Sequence, residues 1–212
     1  MAGRAKICPM DLSRDHGFPP GFAVRNINYG VELLKSAFPD HFESVCRALA
    51  AWDLTWAGVE TAGGNLSVPS SKFVEAFNAE DWHETEFELE TRLQGVPTIA
   101  RTHKVDLFKP GPSAAEPYPG IGIELEWNNK DEFFDRDLIN FDALHTARGL
   151  AVGLIVTRGA SLQSELASRG QGWRQRFGTR TTHWDKLTPR LDLGRGGSTP
   201  IVALGVEVDR IR

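Results

Sequence analysis

Cysteine is nearly absent from this 212-residue chain: Cys8 and Cys46 are the only two, and they fit no metal-ligand spacing. Neither a disulfide framework nor a zinc site is indicated. Cys46 falls in a helical pattern and reads as a small buried hydrophobe. Long apolar runs are missing as well; none approaches the ~20 residues of a membrane span. A basic-then-apolar leader is lacking, so the expectation is a cytoplasmic protein without a membrane partner. There is no repeat or low-complexity tract. Positive charge is not in excess either: the net charge is -4 and the pI about 5.9, which does not of itself advertise a nucleic-acid partner.

What the chain does contain is ordinary for a soluble globule, with 41% hydrophobic and 25% charged residues, and the expectation is one domain over residues 1–212. Its charge is unevenly spread. From Glu75 to Leu93 there are seven acids and one Arg, whereas Gly149 to Arg212 holds ten Arg and Lys against five Asp and Glu, a balance of +5. A basic C-terminal third suits a DNA-facing side, although a solvated charged surface has the same composition. Gly194-Arg195-Gly196-Gly197-Ser198 lacks the Lys-Ser/Thr ending of a phosphate-binding P-loop, which argues against an NTPase.

Residues 1–30, rich in Pro, Gly and Asn, are expected to form an irregular arm. Val31 to Trp52 carries an apolar stripe through Leu33, Leu34, Phe38, Phe42, Val45 and Leu49, with Pro39-Asp40 starting a second helix inside it. Leu54 to Thr61 is expected to be extended and Gly63-Gly64-Asn65 to turn. Ser70-Ser71-Lys72 should introduce a helix through Asn78. Trp82 to Leu89 and Ile99 to Phe108 read as strands, Pro110 to Gly120 as a surface loop.

Ile121, Ile123, Leu125 and Trp127 then alternate with Gly122, Glu124 and Glu126, the period of a strand with one apolar face. Its other face carries two carboxylates about 7 Å apart, twice the ~3.3 Å rise. Asp106 closes the preceding apolar-acidic strand. If the two strands pair, three hard oxygen donors converge, the chemistry Mg²⁺ asks for. A half-buried strand also carries glutamates for solubility alone. Asp135 to Arg148 is expected to be a helix and Ala151 to Thr157 a buried strand, making a parallel crossover. Ile201 to Val208 returns as a last strand.

Val105-Asp106, a loop, Ile123-Glu124-Leu125-Glu126-Trp127-Asn128-Asn129-Lys130, a helix and an apolar strand ending in Thr157-Arg158-Gly159 together resemble the BglII/BstYI family of type II restriction endonucleases. The likeness spans about residues 66–201 and includes Leu66-Ser67-Val68-Pro69 before a helix and Asp81-Trp82 after it. It implies an α/β fold on the PD-(D/E)XK core, a central mixed β-sheet flanked by helices. The two family acids fall on Asp106 and Glu124. The third motif position, usually Lys in the wider superfamily, is Glu126 here, as in a BamHI-like site. Glu75 stands as either a further acid or a surface glutamate.

The resemblance implies a Mg²⁺-dependent enzyme that cuts double-stranded DNA at a short palindrome as a homodimer, leaves 5′ overhangs and shares its site with a cognate DNA methyltransferase. Asp106, Glu124 and the Leu125 carbonyl would hold the metal, and Glu126 would orient or deprotonate water. Residues 159–197 are expected to supply recognition loops. Asn128, Asn129, Lys130, Arg158, Arg174, Arg176 and Arg180 are the DNA-binding candidates, most of them for phosphates rather than bases. His103 and Lys104 read as phosphate contacts or surface charges. Competing readings are a repair or structure-specific nuclease of the same core, a non-catalytic DNA-binding module, and a glycosidase using Glu124 and Glu126, whose acids would more usually sit on separate strands.

Overall fold

The computed structural model describes residues 16–61, 67–113 and 115–212. Its elements are β1 (Phe22–Ile27), α1 (Gly30–Ala37), α2 (Pro39–Ala51), α3 (Trp56–Glu60), α4 (Val68–Asn78), β2 (His83–Leu93), β3 (Val96–Lys109), β4 (Gly120–Glu126), α5 (Phe133–Thr146), β5 (Leu150–Arg158), α6 (Ala160–Ser168), α7 (Gln171–Arg176), α8 (Trp184–Asp192) and β6 (Ile201–Val206). The strands form one sheet in the order β1-β6-β5-β4-β3-β2. β4, β5 and β6 run parallel, and β1, β3 and β2 are antiparallel to their neighbours. This is the expected mixed sheet, with the β4-α5-β5 crossover at its centre.

Helices cover both faces. On one, Leu34 of α1, Leu49 of α2, Trp52 just after it, and Phe73 and Phe77 of α4 pack with Ile121, Ile123, Leu125 and Trp127 of the β4 segment. On the other, Phe134, Leu138, Phe141 and Leu144 of α5 and Trp184, Leu187 and Leu191 of α8 pack on Val105, Ile155 and Ala203. Two glycines let aromatic rings lie against the backbone there. A Cβ on Gly153 would fall 2.3 Å from Phe141, and one on Gly205 2.6 Å from Trp184, both well inside van der Waals contact. The alternation in β4 therefore divides the layers: apolar residues face α1, α2 and α4, while Gly122, Glu124 and Glu126 face α5.

Several expectations need correction. The arm of residues 1–30 contains β1, which pairs with β6 from Phe22↔Val206 to Ile27↔Ile201. As a half-buried edge strand it shows no clean alternation, and its partner lies far away in sequence. Residues 1–15, with Cys8, and the expected turn at Gly63-Gly64-Asn65 lie outside the described residues. Residues 56–60 are helical rather than extended, because the Thr55 hydroxyl caps α3 by accepting from Gly58 N at 3.1 Å. Ser67 caps α4 in the same way at 3.3 Å, so that helix starts before the serines expected to introduce it. Residues 159–197 are not mainly loops; α6, α7 and α8 occupy them. Gln94 and Gly95, both at positive φ (51° and 84°), close a β2–β3 hairpin whose tip projects into solvent with Leu93 and Val96 exposed.

Candidate active site

The site is set by where β3 and β4 part. Their ladder runs Lys109↔Ile121, Phe108↔Gly122 and Leu107↔Ile123 and then stops. One more step in that register puts Asp106 opposite Glu124, and directly opposed residues share a face. Beyond the ladder, Leu125 N donates to Asp106 Oδ2 at 3.1 Å, so a carboxylate takes the place of a strand carbonyl. An N–H and C=O of one residue leave a strand by the same edge, which turns the Leu125 carbonyl toward Asp106 as well. The location is the C-terminal end of parallel strands, where open α/β sheets bind ligands.

Asp106 and Glu124 line one cleft of about 580 Å³, together with Arg101, His103, Lys104, Arg136 and Asn140. Glu124 is 2% exposed, and its Oε1 has no partner among the described residues. Burial first, then the Asp106 and Asp137 carboxylates, push its pKa well above the usual carboxylate range. Such an oxygen is costly unless something cationic meets it.

Glu126 is placed differently. It accepts from Asn129 Nδ2 at 2.9 Å and from Arg136 at 3.5 Å, behind the cleft rather than in its lining. Burial and the neighbouring Asp137 push it up to about 9. Asp137, on the first turns of α5, is fully buried and its pKa is raised by burial, against the pull of Glu126 and Arg136. Arg136 grips Asp137 at 2.7 Å while half its side chain stays exposed. Asp137 and Glu126 thus bracket one guanidinium, with the Glu124 charge close by. Asp137 and Arg136 are the residues at this site that sequence reasoning did not single out. Their signal was faint: they lie in the first turns of the helix that leaves the acidic strand, Asp137 beside the buried stripe of Phe134, Leu138 and Phe141 and Arg136 on the exposed side.

The remaining sequence candidates are dispersed. His103 is buried in the cleft wall with Nε2 unpartnered among the described residues, and Lys104 pairs with Glu84 at 2.7 Å. Asn128, Asn129 and Lys130 follow β4 and run beside residues 178–182: Thr182 N donates to Asn129 O at 2.9 Å, and Lys130 bridges Thr181. Arg180 is exposed on that same segment. Arg174 and Arg176 lie on α7, in the opposite helical layer. Arg174 bonds Ala167 O, and Arg176 holds the carbonyls of Glu60 and Thr61 at the end of α3. Arg158, expected to touch DNA, is fully buried. It donates to Gln163, Thr181 and the Thr182 carbonyl at 2.6 to 2.7 Å, and burial brings its pKa down to about 9. It ties β5 to α6 and to the 178–182 segment and has no free face for a phosphate. Glu75 is exposed and pairs with Lys72, as a surface glutamate does. Cys46 is half-buried, its thiol pushed up to about 11 by burial.

Among the described residues, no three His, Cys, Asp or Glu side chains come together as a ready-made metal cage. Mg²⁺ does not require one: it takes one or two carboxylates and completes its shell with water and substrate phosphate. Two facing carboxylates, one with an unpartnered oxygen, and an adjacent carbonyl are an all-oxygen donor set that fits it.

A family model described as restriction endonuclease BglII/BglIII matches residues 22–206. No curated protein matches the chain. Among the described residues, no helix is long and apolar enough to cross a membrane.

Proposed function

The chain belongs to the BglII/BglIII restriction endonuclease family and is a type II site-specific deoxyribonuclease acting on double-stranded DNA; on that footing, we propose that it hydrolyses phosphodiesters in the Asp106–Glu124 cleft with Mg²⁺. The observation that carries this reading is the facing pair where β3 and β4 part, with Glu124 Oε1 buried and unpartnered. Asp106, Glu124 and the Leu125 carbonyl would hold the ion. When bound, it supplies a lowered water pKa and neutralises charge on the phosphate.

This chain's own residues then divide the work. Asp106 is held in place by the Leu125 N–H, and the strand fixes Glu124 against it. As the water oxygen bonds to phosphorus, the P–O3′ bond breaks and its electron pair leaves on O3′, which takes a proton from solvent. The water's own proton passes toward the ionised form of Glu126, which Asn129 orients and whose share grows as pH rises toward 9. The products are a 5′-phosphate and a 3′-hydroxyl.

Asn128, Lys130 and Arg180 flank the C-terminal strand ends and are our candidates for DNA contacts, chiefly to phosphate. One site per chain cuts one strand, so a palindrome calls for a homodimer on its two-fold axis. The relatives named above imply 5′ overhangs, and protection of host DNA implies a methyltransferase on the same sequence. A glycosidase fails on geometry, because Glu126 is turned to Asn129 and Arg136 rather than across the cleft.

The test is cleavage of plasmid DNA by the purified protein. Wild type should cut with Mg²⁺ and stop with EDTA, and Ca²⁺ should support binding without turnover. Glu124→Gln should bind and not cut, and the DNA complex should sediment with about twice the 23.4 kDa chain mass. A Glu124→Gln variant that cuts at the wild-type rate would overturn the site.

A further inference from the structure

The cleft presents a polyanion with an electrostatic difficulty. Asp106, Glu124, Glu126 and Asp137 lie together, and the side chain at position 126 is an acid where the motif usually carries a cation. Three cations line the cleft. Lys104 is occupied by Glu84 at 2.7 Å, and Arg101 lies on the exposed run of β3 that projects into the hairpin. Arg136 is the one that touches the acids themselves.

Its geometry is that of an anchored donor with a free end. Nε donates to Asp137 Oδ1 at 2.9 Å, and NH2 lies 2.7 Å from the same oxygen and 3.5 Å from Glu126 Oε1. The guanidinium also stacks over the Phe133 ring at 4.3 Å. NH1 has no partner among the described residues, yet the side chain is 52% exposed and lines the cleft beside Glu124. A planar fork held on one side by a carboxylate offers its remaining donors in a fixed direction, the arrangement suited to a phosphate oxygen.

We propose that Arg136 is a catalytic residue that donates to a non-bridging oxygen of the scissile phosphate, supplying from α5 the cation that the β4 motif lacks. This rests on the nuclease reading given above. As the water–phosphorus bond forms and the P–O3′ bond breaks, charge grows on the equatorial oxygens, and a preorganised donor aimed at them stabilises that state more than the ground state. Asp137 acts through Arg136 and is a positioning residue. The competing possibility is that Arg136 merely neutralises a buried Asp137.

The two are separated by Arg136→Ala, Asp137→Asn and the double variant, with a duplex oligonucleotide spanning a cut mapped for wild type in phage DNA. Single-turnover cleavage in Mg²⁺ and binding in Ca²⁺ are measured separately, with thermal melting as the check on folding. Arg136→Ala alone leaves Asp137 buried without its cation and is expected to melt early. The double variant removes that charge and keeps the fold. It should cleave roughly 10²- to 10³-fold more slowly than wild type, the usual loss for one such donor, while its affinity changes little. Added guanidinium should restore part of the rate. A neutral methylphosphonate at the scissile position should slow wild type much more than the double variant, since the oxygen and its donor are then already uncoupled. If the double variant cuts at the wild-type rate, or if the methylphosphonate slows both proteins equally, Arg136 does not touch the phosphate and the proposal fails while the nuclease reading stands. A wild type that cuts no DNA would overturn the nuclease reading and this inference together.

Discussion

Glu126→Gln should make the metal-free protein more stable while removing its activity. The Glu126 carboxyl is 1% exposed and raised from an ordinary 4.5 to about 9. At pH 7 the unfolded chain ionises this group and the fold does not. The unfolded state thereby gains about 2.5 pH units' worth of free energy, or roughly 3 kcal/mol as an upper bound. The sign follows from proton counting. The native state binds more protons between pH 4.5 and 9, so stability falls as pH rises through that window. Gln accepts from Asn129 as Glu does, donates to Asp137 and does not titrate. The variant should come close to wild type near pH 5 and melt about 6–12 °C higher near pH 7, using about 2–4 °C per kcal/mol for a chain of this size. The pH slope should become shallower without vanishing, because Glu124 and Asp137 are raised too. Thermal melting in EDTA from pH 5 to 9 reads both quantities. A variant with an unchanged slope, or one less stable than wild type at pH 8, would refute the reasoning.

Two other expectations bear on the arginines. Arg158→Ala should destabilise the fold by about 3–5 kcal/mol, because it strips a buried cation from three acceptors; a melting temperature within 2 °C of wild type would contradict its structural role. Replacing Lys130 or Arg180 by Ala should each lower the slope of log affinity against log salt by about 1. Arg174→Ala, on the far helical layer, should leave that slope alone, and the reverse pattern would move the DNA to the α7 side.

Much of the scaffold was legible because its signals are local. Period-2 alternation marked β4 and its two acids, an unbroken apolar run marked β5, and Pro39 marked the start of α2. What escaped depends on distant partners. β1 is stabilised by β6, which lies beyond most of the chain, and its own residues are only half-buried. Pro189 and the surrounding glycines obscured the apolar face that Trp184, Leu187 and Leu191 form on α8. The Arg-rich composition of 159–197 could not distinguish Arg158, whose side chain is the centre of a buried network, from Arg180 on the surface. At the site, spacing placed Glu124 and Glu126 on one face, and the register set Asp106 opposite Glu124. It could not show that Glu126 turns back to Asn129, since that depends on α5 delivering Asp137 and Arg136 from eleven and ten residues downstream.

The most direct test of a Mg²⁺-dependent, site-specific nuclease built on Asp106 and Glu124 is to digest phage DNA with the purified protein and sequence the fragment ends, with Glu124→Gln carried through the same purification. The expected result is discrete fragments in Mg²⁺, every end falling at one short palindrome with a recessed 3′ end that a polymerase fills in, and intact DNA from the variant. Ends scattered over unrelated sequences, single-strand nicks alone, or equal cutting by Glu124→Gln would contradict it.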